Sequence, residues 1–223
     1  MAKEYKVELI QDHFIINDNG TRALIDTGCP FTINESNKKQ IPGGAQHLES
    51  VRQMVDANIE EFRGLEYFKQ HKVLFDYKNA KVIVANANEE LSVDNPVAKF
   101  PLINSAGLPR IIISMNIEGV NRNLIFDTGA SIANYMTESI AKTGKPAGTV
   151  IDFHPQLGKY KVKLYDLSID IGGEKVSIPF GIQPDEVDCD VQSSNAVGVI
   201  GVGLYKNYQI LVDIPGNKLV LGK

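Results

Sequence analysis

Two stretches of this chain follow one pattern, and that repetition limits the fold more than any other feature. Arg22-Ala-Leu-Ile-Asp-Thr-Gly-Cys-Pro-Phe31 recurs as Asn123-Leu-Ile-Phe-Asp-Thr-Gly-Ala-Ser-Ile132, an offset of 101 positions. A second block, Gly64 to Val84, aligns without gaps to Gly201 to Leu221. It shares glycine at 64/201, lysine at 69/206 and 81/218, leucine at 74/211 and aspartate at 76/213. Both pairs come in the same order, so the chain reads as two related lobes, residues 1–90 and 91–223. The second lobe carries 36 more residues between its two blocks.

Local patterning is β-rich. Lys6 to Ile10 and His13 to Ile16 read as short strands, and Asn17 to Gly20 as a turn feeding the strand Ala23-Leu24-Ile25. The second lobe repeats this with Arg110 to Ile117, the turn Glu118-Gly119, and Leu124-Ile125-Phe126. Tyr165 to Ile171 alternates, Gly172-Gly173 turns, and Val176 to Ile182 returns; polar Asn86 to Pro96 reads as a linker. In Gln46 to Phe62 the apolar residues Leu48, Val51, Met54, Val55, Ile59 and Phe62 fall at helical spacing. That predicts an amphipathic helix packed on the first lobe, or one that binds a partner.

The chemistry lies in the two Asp-Thr-Gly sequences. With this composition about 0.04 such tripeptides are expected by chance, and both copies here follow an apolar strand. An aspartate at the end of a buried strand is costly unless hydrogen-bonded or used. Glycine two positions on lets the backbone turn back and offer its N–H to the carboxylate. With the later Val199-Ile200-Gly201 block, the pair resembles the aspartic peptidases, and more narrowly their retropepsin-like branch with both halves fused in one chain. The resemblance implies an all-β, two-lobe acid-protease (retropepsin-like) barrel fold with pseudo-twofold symmetry and a few short helices. It further implies a catalytic dyad of Asp26 and Asp127, interlocked hydroxyls of Thr27 and Thr128, and supporting turns at Gly28 and Gly129. The expected activity is peptide-bond hydrolysis by a water activated between the aspartates, with no cofactor and no metal. A peptide or protein would be the substrate, and dimerisation would not be required. The alternative is a protease-like peptide-binding or scaffolding module that no longer cuts. The first motif departs from the family pattern at Cys29-Pro30, where a small hydroxyl residue or alanine is usual; Cys29 is read as a spectator, with a redox-sensitive role as the alternative.

The extra length of the second lobe falls where a flap belongs, between Asp127 and Gly201. A hairpin around Val150 to Leu164 is expected there, with its tip at Phe153 to Gly158 and substrate contacts from His154, Gly158 and Tyr160. The shorter first-lobe interval, taken up by the helix, leaves no room for a second flap.

Composition excludes other classes. With 23 basic and 27 acidic residues, net −4, no basic field is available for nucleic acid or an anionic membrane. Two cysteines, Cys29 and Cys189, make neither a disulfide scaffold nor a zinc module, and the four histidines form no HExxH-type pair. The sequence has no apolar run of signal or membrane-spanning length, which gives a cytoplasmic expectation. The acidic run Asp185 to Asp190 reads as a solvated loop, with calcium binding as the lesser reading, and Asp76 and Asp213 read as structural.

Overall fold

The computed structural model describes residues 2–105, 107–155 and 157–223. The first half contains β1 (Lys3–Ile10), β2 (His13–Asp18), β3 (Thr21–Ile25), β4 (Ile33–Asn34), α1 (Gly44–Met54), β5 (Glu61–Arg63), β6 (His71–Asp76) and β7 (Lys81–Asn86). After β8 (Pro96–Pro101), the second half runs through β9 (Ile112–Ile117), β10 (Val120–Phe126), β11 (Asn134–Met136), α2 (Glu138–Ala141), β12 (Lys145–His154) and β13 (Gly158–Ile171). It finishes with β14 (Glu174–Ile182), α3 (Asp185–Ser193), β15 (Gly198–Ile200), α4 (Val202–Tyr205), β16 (Gln209–Asp213) and β17 (Lys218–Gly222). The fold is all-β with short helices, as the alternation predicts.

Each half uses one construction to deliver its aspartate. The β2–β3 hairpin turns through Asn19 and Gly20, with φ of 54° and 92°, and the β9–β10 hairpin through Glu118 and Gly119, with φ of 50° and 81°. Positive φ at both central residues matches the right-handed twist of the paired strands. β3 then runs parallel to β5, and β10 parallel to β15. Both parallel pairs end at the matched glycines. A side chain on Gly64 would overlap the Phe31 carbonyl, and one on Gly201 the Asp127 carbonyl. Glycine is therefore required where each parallel strand passes under the Asp-Thr-Gly turn.

The halves join in a ten-stranded sheet, in which β6 pairs antiparallel with β16. Leu74 lies opposite Leu211, so these two matched positions sit on the pseudo-twofold axis. Asp76 and Asp213 close the adjoining β-turns in parallel fashion: each accepts a backbone N–H three residues on, from Asn79 at 3.1 Å and Gly216 at 2.8 Å. The main core crosses between halves, with Phe14, Phe75, Phe126 and Tyr205 fully buried together.

Two local expectations are corrected. The helix predicted over 46–62 stops at Met54. Asp56 accepts the Asn58 N–H at 2.9 Å and turns the chain, so Ile59 is buried from a loop and Phe62 from β5 opposite Leu24. The acidic run is helical in α3, not a loop. Asp185, Glu186 and Asp188 occupy its first turn, where the helix dipole favours negative charge, and Val191, one turn from Val187, is buried.

Candidate active site

Asp26 follows buried Ile25 at the end of β3, and Asp127 follows buried Phe126 at the end of β10. Their backbone N–H groups continue the parallel ladders, donating to the Arg63 and Ile200 carbonyls at 3.0 Å each. Below them the threonines interlock. The Thr27 N–H donates to Thr128 Oγ1 and the Thr128 N–H to Thr27 Oγ1, both at 3.0 Å. Each hydroxyl donates onward to the opposite strand, Thr27 to the Phe126 carbonyl at 3.2 Å and Thr128 to the Ile25 carbonyl at 3.1 Å. These four bonds, fully buried, fix the aspartates relative to one another.

The glycine turns place donors under the carboxylates. Gly28 N–H is shared between Asp26 Oδ1 at 2.8 Å and Asp127 Oδ1 at 3.1 Å. Cys29 N–H adds a bond to Asp26 Oδ1 at 2.9 Å, and Gly129 N–H one to Asp127 Oδ1 at 2.7 Å. A side chain on Gly28 would collide with the Asp127 carboxyl, and one on Gly129 with that of Asp26. The two carboxyls also hydrogen-bond to each other, and burial, then the charge of Asp127, push the Asp26 pKa well above the carboxylate range. Two acids this close cannot both ionise. The two therefore bind protons as one unit, with the Asp26 carboxyl raised.

The raised Asp26 pKa has a measurable sign. A carboxyl whose pKa is raised by folding contributes stability below its unfolded value near 4 that is lost as pH rises toward the folded value. Asp26→Asn is therefore expected to stabilise the fold at pH 7 more than at pH 4, since wild type loses up to about 1.4 kcal/mol per pH unit over that interval. Thermal melts of both proteins at the two pH values check this; equal differences at pH 4 and 7 would contradict a buried proton on Asp26.

A cavity of about 460 Å³ lies over the dyad, lined from both halves. β12 and β13 form a long antiparallel hairpin over it, closing at the His154–Gly158 pair. Of the residues expected to meet substrate, His154 and Tyr160 line the cavity. Gly158 stands exposed at the hairpin end with φ of 72°, outside the lining. Gln156, within the expected tip, lies outside the described residues. The hairpin is anchored by a buried network: Tyr135 on β11 donates its hydroxyl to Asp152, and the Tyr135 and Tyr160 hydroxyls meet at 2.9 Å. Burial raises the Tyr160 pKa to about 12, so its phenol stays neutral.

Other lining residues were not singled out by the sequence. Arg110 donates one Nη to the Gly28 carbonyl and the other to Asp190 of α3 at 2.6 Å, tying the first Asp-Thr-Gly turn to the second half. His13 is buried beside the second motif. Its Nδ1 donates to the Ile10 carbonyl at 3.2 Å, which leaves Nε2 to accept the Ser131 hydroxyl at 3.2 Å. Burial lowers its pKa against the pull of Asp127. The Cys29 thiol is pushed up to about 12, chiefly by burial, so it stays protonated, which does not favour a reactive role. Among the described residues no cluster of three or more His, Cys, Asp or Glu is placed to hold a metal, and no helix is long and apolar enough to cross a membrane.

No protein-family model matches the chain, and no curated protein matches it by sequence. Solved structures do. The aspartic proteinase from Irpex lacteus superposes with a TM-score of 0.57 at 9% identity, covering 100% of this chain and 97% of that one. Basic 7S globulin from soybean gives 0.55 at 10% identity, covering 99% and 94%. The solution structure of the Simian Foamy Virus (mac) protease matches 40% of this chain and 86% of its own at 17% identity, with a TM-score of only 0.29. At these identities the full-length likenesses establish one thing: the chain has the aspartic-proteinase fold.

Proposed function

We propose that this protein is an aspartic endopeptidase, active as a single chain, with residues 1–90 and 91–223 as its lobes. The observation that carries the proposal is the pairing of Asp26 and Asp127 around one Gly28 N–H, at the floor of a cavity built from both lobes. In this reading a water sits between the carboxyls. Asp127 takes its proton as the oxygen attacks the scissile carbonyl, while Asp26 gives its proton to the carbonyl oxygen, forming a neutral gem-diol. Collapse returns a hydroxyl proton to Asp26, the C–N bond breaks, and the proton held on Asp127 passes to the leaving nitrogen. The fixed N–H groups of Gly28, Cys29 and Gly129 favour the charged state of the pair without needing to reorganise. The β12–β13 hairpin is the single flap, excluding water and offering strand edges to an extended peptide.

A second reading, a peptide-binding module without cleavage, is favoured by two observations. The Gly28 carbonyl beside the dyad is already occupied by Arg110, and the same fold serves a protein described only as a globulin. Incubation with a denatured-protein and peptide library from pH 3 to 8, read by mass spectrometry, separates the two. Cleavage that disappears in Asp26→Asn and Asp127→Asn is expected. Binding without new termini would establish the second reading instead.

A further inference from the structure

The tip of the β12–β13 hairpin does not hang free over the cavity; it rests on the opposite lobe. Ser50 of α1 donates its hydroxyl to the Pro155 carbonyl at 2.8 Å, across 105 residues of sequence. Phe153, two positions earlier, packs against the His13 ring at 6.1 Å between centroids. Between these contacts His154 comes within electrostatic reach of His47 on α1, and both line the cavity. His47 stacks edge-on against Phe62 at 4.5 Å, and its buried Nε2 has no hydrogen-bond partner among the described residues. The helix that stands in the first lobe where a second flap would be is the seat on which the hairpin closes.

We propose that this contact is a proton-operated latch: at neutral pH the hairpin is held shut on α1, and protonation of His47, with His154 opposite, releases it and opens the cavity. The closed latch requires two half-buried imidazoles within electrostatic reach of each other to stay uncharged, and charging them sets like charges against each other. As control over substrate access, the proposal rests on the peptidase reading; as a movement of the hairpin it does not.

The surrounding groups decide which histidine matters most. His154 faces Asp127 of the dyad and Glu186 and Asp190 of α3, all of which favour its charged form, although burial outweighs them and lowers its pKa. The third imidazole, His13, is held neutral by burial, which outweighs its bond to the Ile10 carbonyl and the charges of Asp127 and Asp12. For His47, among the described residues, burial and the repulsion of a charged His154 act in one direction, and its pKa falls to about 4. With the hairpin lifted, the imidazole returns toward its ordinary value near 6.5. A histidine depressed only in the closed form supports closure fully above about 6.5, and that support is lost as pH falls toward 4. Protonation of His47 raises the open-to-closed ratio about tenfold per pH unit across this window.

The test is a distance measurement. In a Cys29→Ala, Cys189→Ser background, spin labels on Glu49→Cys (α1, exposed) and Lys159→Cys (β13, exposed) span the contact. Pulsed electron paramagnetic resonance should give one short distance at pH 7.5, and a longer component that grows about tenfold per pH unit below 6.5, with circular dichroism unchanged. His47→Gln should flatten that response. Identical distances at pH 7.5 and 4.5, or an unchanged response in His47→Gln, overturns the proposal. Ser50→Ala provides a second arm that keeps both histidines. It should enlarge the longer component at every pH while leaving its slope intact, and no enlargement counts against the latch. Because the readout needs no turnover, a chain that cuts nothing can still show the latch, so failure of the peptidase reading is seen separately.

Discussion

Asp127→Asn is expected to lower kcat/KM for any peptide this protein cleaves by about 10³-fold or more, with the fold retained. In the proposed mechanism the Asp127 carboxylate is the base that takes the proton from a water held between the two. An amide at 127 keeps the size and can still accept from Gly28 and Gly129, but it cannot remove a proton. Asp26→Asn should lose as much, since its amide can donate a hydrogen bond to the carbonyl oxygen yet cannot transfer a proton and take it back. Groups that act as one unit are not additive, so the double variant should be no worse than either single one. Initial rates on a cleaved peptide, with circular dichroism on each variant, measure this. Undiminished activity in either single variant would remove the dyad from the mechanism.

The second large effect is on stability. Thr128→Val keeps the shape of a fully buried side chain but strips a donor and an acceptor. The Thr27 N–H and the Ile25 carbonyl lose their partner at the centre of the molecule. At about 1–3 kcal/mol for each stranded group, the expected cost is about 4 kcal/mol, or a Tm lower by about 8–16 °C for a chain of this size. Thr27→Val should behave alike. The two sites share one network, so the double variant should cost measurably less than the sum of the singles. Strict additivity in urea or thermal unfolding would show that the threonines do not interlock in solution.

The pairing of Asp26 and Asp127 was legible in the sequence because most of what positions each is local. Each aspartate has a supporting N–H donor and a threonine beneath it within four consecutive residues, and having two copies makes the pattern specific. The hairpin was legible for a different reason: 36 extra residues in one copy had to go somewhere. The α1 boundary was not, because Ile59 and Phe62 satisfy helical spacing by coincidence, while an Asp56–Asn58 side-chain turn ends the helical path. The α3 helix was obscured by its own acids, which read as solvation until their position in a first turn is known. Arg110, Ser50 and His47 could not have been found, since each matters only through partners many residues away or through the hairpin's resting place. Isolated polar residues carry no periodic signal.

The β6–β16 pairing also bears on how the chain is made. β6 is synthesised long before its partner β16, so this long-range pairing waits on the second half. Until then the first half exposes an open apolar strand edge, Val73 to Phe75, of the kind that invites pairing with another copy. A chain ending after Asn207 is expected to self-associate through that edge, and sedimentation against the full chain would reveal it. The strand pair that carries the symmetry axis is thus also the step that covers this edge within the chain.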